Sequence, residues 1–293
     1  MASSSQPVKS PNRSRTRLLR RLTQAGFGLF IVGSSIRHYL VTTEHVASID
    51  AYCPFGGIAT LWRWVSTGGL FVQKTHQSNL VLLLGLIAGV ILAGGAFCGW
   101  ICPFGALQDL LDWIRKKLRL PELRIPPRLD RVLTYGRYVT LGVILYATIA
   151  TVKLWFADWD PYRTIFSLGW LFEFNLSEQW LAYAVALVIL VGALLIPRFW
   201  CRYLCPLGGA ISLLGNLSLL RIRRNDASCK SCAVCNAPCP VKIDVAQADS
   251  AVSADCIGCL ECVEVCPREG ALSVTLGPAL PKIFRPRKKE HSA

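Results

Sequence analysis

A mainly α-helical, polytopic membrane protein with about four transmembrane helices and a small C-terminal α+β domain is the fold class this sequence predicts, on three observations. The chain is 53% hydrophobic and only 17% charged over 293 residues, which is too apolar for a soluble protein of this size. A short cysteine turn occurs twice in the apolar part, and a longer cysteine run occurs twice near the end. The resulting division is a disordered basic tail at 1–17, a membrane domain at 18–215, a cysteine-rich domain at 225–275 and a second basic tail at 276–293.

Four stretches are long enough to cross about 30 Å of hydrocarbon at about 20 residues each. They run from Leu22 to Leu40, Asn79 to Phe97, Val132 to Phe156 and Trp180 to Pro197. Lysine and arginine crowd the N-terminal tail, the middle loop from Arg115 to Arg131 and everything after Arg198, while the other two loops are nearly bare. The positive-inside rule then puts both termini, the middle loop and the cysteine-rich domain in the cytoplasm of a bacterial inner membrane. The apolar run after Arg20 and Arg21 continues for a full span without a cleavage site, so it reads as an uncleaved anchor. Between the first two spans, IATLWRWVSTGGLFV reads as a short helix in the outer interface, anchored by Trp62 and Trp64. DLLDWIRKKLRL, Asp109 to Leu120, has a basic face and reads as a helix along the inner surface that Pro121 ends. The net charge of +14 borders the spans and fills the tails, so anionic membrane lipid is the expected partner. No nucleic acid is expected, because no groove-reading module is visible.

Between Cys229 and Cys266 the chain reads CKSCAVCNAPCP and then CIGCLECVEVCP, two CxxCxxCxxxCP runs of the kind that wraps a cubane iron–sulfur cluster in bacterial ferredoxins. Three closely spaced cysteines reach three corners of one cube, and the fourth, ahead of a proline, turns toward the other cube. Crossed ligation follows. One [4Fe-4S] cluster takes Cys229, Cys232, Cys235 and Cys266, and the second takes Cys256, Cys259, Cys262 and Cys239. Zinc sites draw on separated cysteine pairs or histidine, and disulfides need an oxidising compartment, so neither accounts for a doubled run with proline after each last cysteine. ALSVTL closes this strand-poor domain.

FCGWICPFGALQDLL, Phe97 to Leu111, aligns with WCRYLCPLGGAISLL, Trp200 to Leu214. Cys98 with Cys102 and Cys201 with Cys205 thus form two CxxxCP turns where spans two and four reach the cytoplasm. Four residues apart on a helix, the thiols of each pair share a face. If the halves pack as a pseudo-twofold pair, the four sulfurs meet and ligate an extra metal centre, form dithiol couples, or pack as small apolar groups. Cys53-Pro54-Phe55-Gly56 echoes the turn on the outer side without a partner cysteine, which fits a helix start or turn as well as chemistry.

CGWICPFGA, CRYLCPLGG and the two cluster runs resemble the NapH, MauN and NosR group of membrane iron–sulfur proteins with their YccM-like members, over about residues 20 to 275. AYCPFGGIATLW is similar to members outside nitrate reduction. The resemblance implies a quinol dehydrogenase that draws on the quinone pool and feeds redox protein partners and, through them, periplasmic reductases. NosR-type members add a periplasmic flavin domain for which this chain has no room. The turns also resemble CcoG-like proteins, implicated in copper reduction, which carry a further C-terminal domain. A third reading is a docking relay that handles no quinol. No Walker loop, dinucleotide fingerprint or GxSxG elbow competes.

Quinol oxidation releases two electrons and two protons, so its site needs an apolar slot and a proton acceptor. At the outer depth His38 is best placed, with Glu44, His45, Asp50, Asp158 and Asp160 nearby. At the inner depth Trp100, Trp113 and Tyr203 line the approach and Asp109 or Asp112 takes protons.

Overall fold

The computed structural model describes residues 13–40, 61, 64–65, 77–123, 125–151, 159–172, 174–248 and 253–276. Both tail ends, Cys53, Glu44, His45, Asp50, Asp158 and most of the expected outer interfacial helix lie outside the described residues.

The part of the chain before the cysteine-rich domain is built from helices. Helix α1 (Arg13–Leu40) is followed by α2 (Gln77–Ala93), α3 (Ala96–Trp100) and α4 (Pro103–Lys117), then by α5 (Pro127–Thr134) and α6 (Gly136–Thr151). The short α7 (Pro161–Phe166) and α8 (Gly169–Phe172) lead to α9 (Leu176–Leu195), α10 (Phe199–Tyr203) and α11 (Pro206–Leu214). Among the described residues two stretches are long and apolar enough to cross a membrane, Pro127–Ala150 and Leu176–Leu195, and Leu80–Ala93 is a shorter apolar helix. Their outward faces carry exposed aliphatics, such as Val81 and Leu84 on α2 and Leu187 and Val188 on α9. Inside, Ile31, Phe104, Phe166, Ile189 and Trp200 join α1, α4, α7, α9 and α10 in one core.

Proline decides the breaks. The residue before a proline is barred from the helical region, so Cys102 (φ −62°, ψ 117°) and Cys205 (φ −67°, ψ 114°) are extended and become the N-caps of α4 and α11. Each CxxxC pair therefore spans a helix boundary, where sequence reasoning put both thiols on one helical face. Pro103 also starts α4 earlier than the expected interfacial helix, and a left-handed Arg119 (φ 55°) ends it before Pro121 is reached.

The cysteine-rich domain closes on a two-stranded antiparallel sheet, β1 (Leu220–Arg224) with β2 (Leu272–Leu276), in the register Leu220↔Leu276 to Arg224↔Leu272. Strand β2 is the expected closing strand, and its partner LRIRR had read only as the basic border of a span. Ile222, Cys235, Val245, Ala246, Cys262 and Leu272 form the core of this domain, with α12 (Glu261–Val265) against it.

Candidate iron–sulfur and thiol sites

Each cluster run folds the same way locally. Ser231 (φ 51°) and Ala233 (φ 56°) bracket Cys232 in left-handed conformations, as Gly258 (φ 59°) and Leu260 (φ 62°) bracket Cys259. Such φ values cost a non-glycine residue about 1–2 kcal/mol. Repeated at matching positions, they curl each run into a loop whose thiols point inward.

The loops surround two cavities. The outer seat is lined by Cys229, Cys232, Cys235 and Cys266 together with Arg224, Lys230 and Arg268. The inner seat is lined by Cys239, Cys256, Cys259 and Cys262 with only Ile222, Val241, Ile243, Val245 and Ile257 between them. Backbone amides face the sulfurs: Ile243 N–H donates to Cys239 Sγ at 3.4 Å and Gly258 N–H to Cys256 Sγ at 3.5 Å. Burial pushes the Cys256 thiol up to about 12 despite that amide, so the bare thiol keeps its proton at neutral pH and loses it when metal binds. Among the described residues no three His, Cys, Asp or Glu side chains converge tightly enough for a single metal ion. A four-iron cube instead needs thiols spread around a cage, and both seats offer that.

The CxxxCP turns repeat in structure as they do in sequence. Cys102 N–H donates to Phe97 O at 2.9 Å and Cys205 N–H to Trp200 O at 2.8 Å. A Cβ on Gly105 would meet the Cys98 carbonyl, and one on Gly208 would lie 3.0 Å from the Cys201 carbonyl, so both turns need glycine for the second helix to approach the first. The halves pack together, and each of Cys98, Cys102, Cys201 and Cys205 lies within electrostatic reach of others in the set. All four are free thiols and none is exposed. Gln108 Nε2 donates to Cys201 Sγ at 3.0 Å and Gly208 N–H to Cys205 Sγ at 3.3 Å. Such donors favour thiolate, the form that binds metal, but burial outweighs them and pushes all four thiols up, so each keeps its proton until a metal binds.

A buried ion pair braces this group. The guanidinium of Arg198, 1% exposed and left-handed (φ 57°), reaches Asp109 at 2.7 and 2.6 Å and the Cys98 carbonyl at 2.8 Å. Arg20 binds the same carboxylate at 2.5 Å and Glu261 at 3.1 Å. Although burial raises it, the two guanidiniums win and hold Asp109 at about 2. Asp109 is therefore a fixed anion and no proton acceptor, contrary to the sequence reading. Asp112 is tied to Arg115 at 2.6 Å and Lys116 at 2.5 Å. Sequence reasoning passed over Arg198 and Gln108, because a basic residue after a span and a glutamine in an amphipathic helix carry no pattern of their own.

The inner seat is pressed against the first turn. A Cβ on Gly95 would lie 2.5 Å from the Cys256 carbonyl, and one on Gly99 would strike the Ile257 carbonyl. Trp100 Nε1 donates to Gly258 O at 3.0 Å. Val90, Cys98, Ile211 and Ile257 pack together with Cys259 beside them, so thiols of the turn and of the inner seat share one apolar cluster. Ion pairs fix the docking: Arg17–Glu261 at 2.7 Å, Arg20–Glu261 at 3.1 Å, Arg137–Asp255 at 2.5 Å and Lys242–Glu122 at 2.8 Å.

Between α6 and α9 runs an apolar cleft of about 470 Å³, walled by Val143, Ile144, Val185 and Val188 and floored by Trp200 and Leu204. Cys102, Cys201 and Cys205 pack in the same core as Trp200. His38 lies elsewhere: it is exposed in the last turn of α1, eighteen residues beyond Arg20, or about 27 Å along the helix. Asp160 caps α7 by accepting from Tyr162 N–H at 3.0 Å. Trp113 is half exposed under Lys117, and Tyr203 is buried against Asp130.

The comparisons agree with this layout. A 4Fe-4S binding domain family matches residues 75–121 and again 179–225, the two CxxxCP halves, and a 4Fe-4S dicluster domain family matches 221–267. The ferredoxin-type protein NapH of Haemophilus influenzae is 31% identical over 206 residues, 65% of this chain and 67% of NapH. The chain belongs to the NapH, MauN, NosR and YccM family of iron–sulfur electron-transfer proteins. Within that family, the Escherichia coli K12 protein YccM, named for electron transport, is 31% identical over 78% of this chain. NosR of Pseudomonas aeruginosa, named as a regulatory protein, is 34% identical over 69% of it. The chain spans 64% of the length of YccM and 27% of that of NosR. No solved structure matches.

Proposed function

We propose that this chain oxidises an isoprenoid quinol in the cleft between α6 and α9 and passes the two electrons through the CxxxCP cysteines and the two iron–sulfur seats to redox protein partners, while the two protons leave to water. One observation carries the reading: the floor of the apolar cleft is a CxxxCP turn, and the other CxxxCP turn touches the inner seat. An apolar slot of this size suits a lipid-soluble ligand, and the exposed aliphatics of α2 and α9 suit a multi-pass site in the inner membrane, with the N-terminus and the iron–sulfur domain on the cytoplasmic side. The outer seat takes Cys229, Cys232, Cys235 and Cys266, and the inner seat Cys256, Cys259, Cys262 and Cys239, each for one [4Fe-4S] cluster that supplies one-electron chemistry when bound. The four CxxxCP thiols hold a further metal–sulfur centre, which the amide donors and Arg198 suit. The copper or thiol reductase reading needs these thiols to meet a substrate from solvent, and none of them is exposed.

The test is anaerobic reduction of the purified, cluster-loaded protein by a menadiol analogue, followed as bleaching of the iron–sulfur absorption. Val188→Trp and Ile144→Trp, which fill the cleft, are expected to slow the bleaching at least tenfold. A docking relay stays oxidised under quinol, and that result ends the reading. Iron above about eight per chain, lost in the Cys98/Cys102/Cys201/Cys205 serine variant, marks the further centre.

A further inference from the structure

The cations of the iron–sulfur domain fall into two groups. Those between the domain and the helices are paired: Arg137 on α6 with Asp255, Lys242 with Glu122, and Arg17 and Arg20 on α1 with Glu261. Around the outer seat, Lys230 and Arg268 line the cavity without an ion pair among the described residues. Arg224, also on the lining, is tied to Asp226. Glu269 is the one other acid at this rim, and it is exposed. Within the rim sits a small apolar spot made of Ala233, Val234 (43% exposed) and Pro267, next to the exposed Cys232.

An apolar spot over a ligand cysteine, ringed by unpaired cations, has the make-up of a transient electron-transfer contact. Charge complementarity steers encounter and fixes orientation, and a small dry centre lets the partner leave again. We infer that the face formed by Lys230, Arg268, Val234 and Cys232 docks an acidic, soluble one-electron carrier protein. The inference rests on the proposed electron path and names its far end. Each oxidised carrier takes one electron and leaves reduced, so the two electrons of a quinol depart in two successive dockings, with no bond made or broken at this face.

The test uses the full-length, cluster-loaded protein in detergent, oxidised and without quinol, so its outcome is independent of what the cleft binds. Flavodoxin is the acidic probe and cytochrome c the basic control, and affinity is read by interferometry at two salt concentrations. Expected are flavodoxin binding that weakens at least tenfold from low to high salt, no cytochrome c binding, and at least tenfold loss of flavodoxin affinity in Lys230→Glu/Arg268→Glu. Where that variant loses iron, Lys230→Gln/Arg268→Gln serves, with a smaller loss. Flavodoxin affinity untouched by charge reversal or by salt, or equal affinity for cytochrome c, overturns the inference. So does charge reversal that abolishes retention on phosphatidylglycerol vesicles while sparing flavodoxin.

Discussion

The two cluster seats are built on the same twelve-residue spacing of cysteine and proline, yet they sit in opposite surroundings. The inner one is lined by isoleucine and valine and pinned by arginines from α1 and α6, whereas the outer one has an exposed cysteine and a cationic rim. Even the strained positions differ. Gly258 holds φ 59° in the inner loop where Ser231 holds φ 51° in the outer. What separates the seats is what packs on them. A duplicated motif becomes two unlike sites when one copy is buried against the helices and the other is left open.

The largest expected effect breaks that comparison outright. Cys256→Ser and Cys232→Ser should each remove about four irons, but only the inner change should also cut the other ferredoxin-type cluster off from quinol, slowing its bleaching more than a hundredfold. Equal bleaching in the two variants would mean the seats do not act in series.

Next comes Asp109→Asn, which leaves the buried Arg198 guanidinium uncompensated at a cost of about 3–5 kcal/mol. It is read as a fall in melting temperature with the outer seat unaltered. The same pair gives an acid limb. The pKa of Asp109 is depressed in the folded state to about 2 from 3.8, so its contribution, of order 2 kcal/mol, is complete above about pH 4 and is lost as pH falls toward 2. Denaturation midpoints of wild type and Asp109→Asn should therefore converge in that window and nowhere above it.

Smaller still, Gly99→Ala puts a methyl group against the Ile257 carbonyl and should cost about 1–3 kcal/mol through overpacking. Limited proteolysis of the freed domain would rise with it. Smallest and opposite in sign, Ser231→Gly relieves a left-handed residue in the outer loop and should stabilise by about 0.5 kcal/mol. Urea midpoints resolve that difference, and no gain would mean that the serine side chain earns its place there.

Much of this molecule was legible because cysteine and proline act locally. The spacing of the two long runs puts together the thiols that line each cavity, and the CxxxCP repeat reappears as two turns of matching backbone. The rest depends on contacts between distant segments. Strand β1 alternates as L-R-I-R-R, a period-two signal hidden under three arginines that read as the border of a span. The carboxylate of Asp109 looked like a proton acceptor only while Arg20 and Arg198, far off in sequence, were unseen beside it. His38 drew attention because histidine is scarce, and scarcity says nothing about distance.

The repeat is unequal where the domains meet. Where the first turn carries Gly95 and Gly99, the second carries Arg198 and Arg202, and these arginines reach Asp109 and Asp130. Two identical turns would offer the cysteine-rich domain two equivalent landing places and so no fixed orientation. With one copy filled by arginine and the other left bare, the domain has a single surface that its backbone can approach this closely.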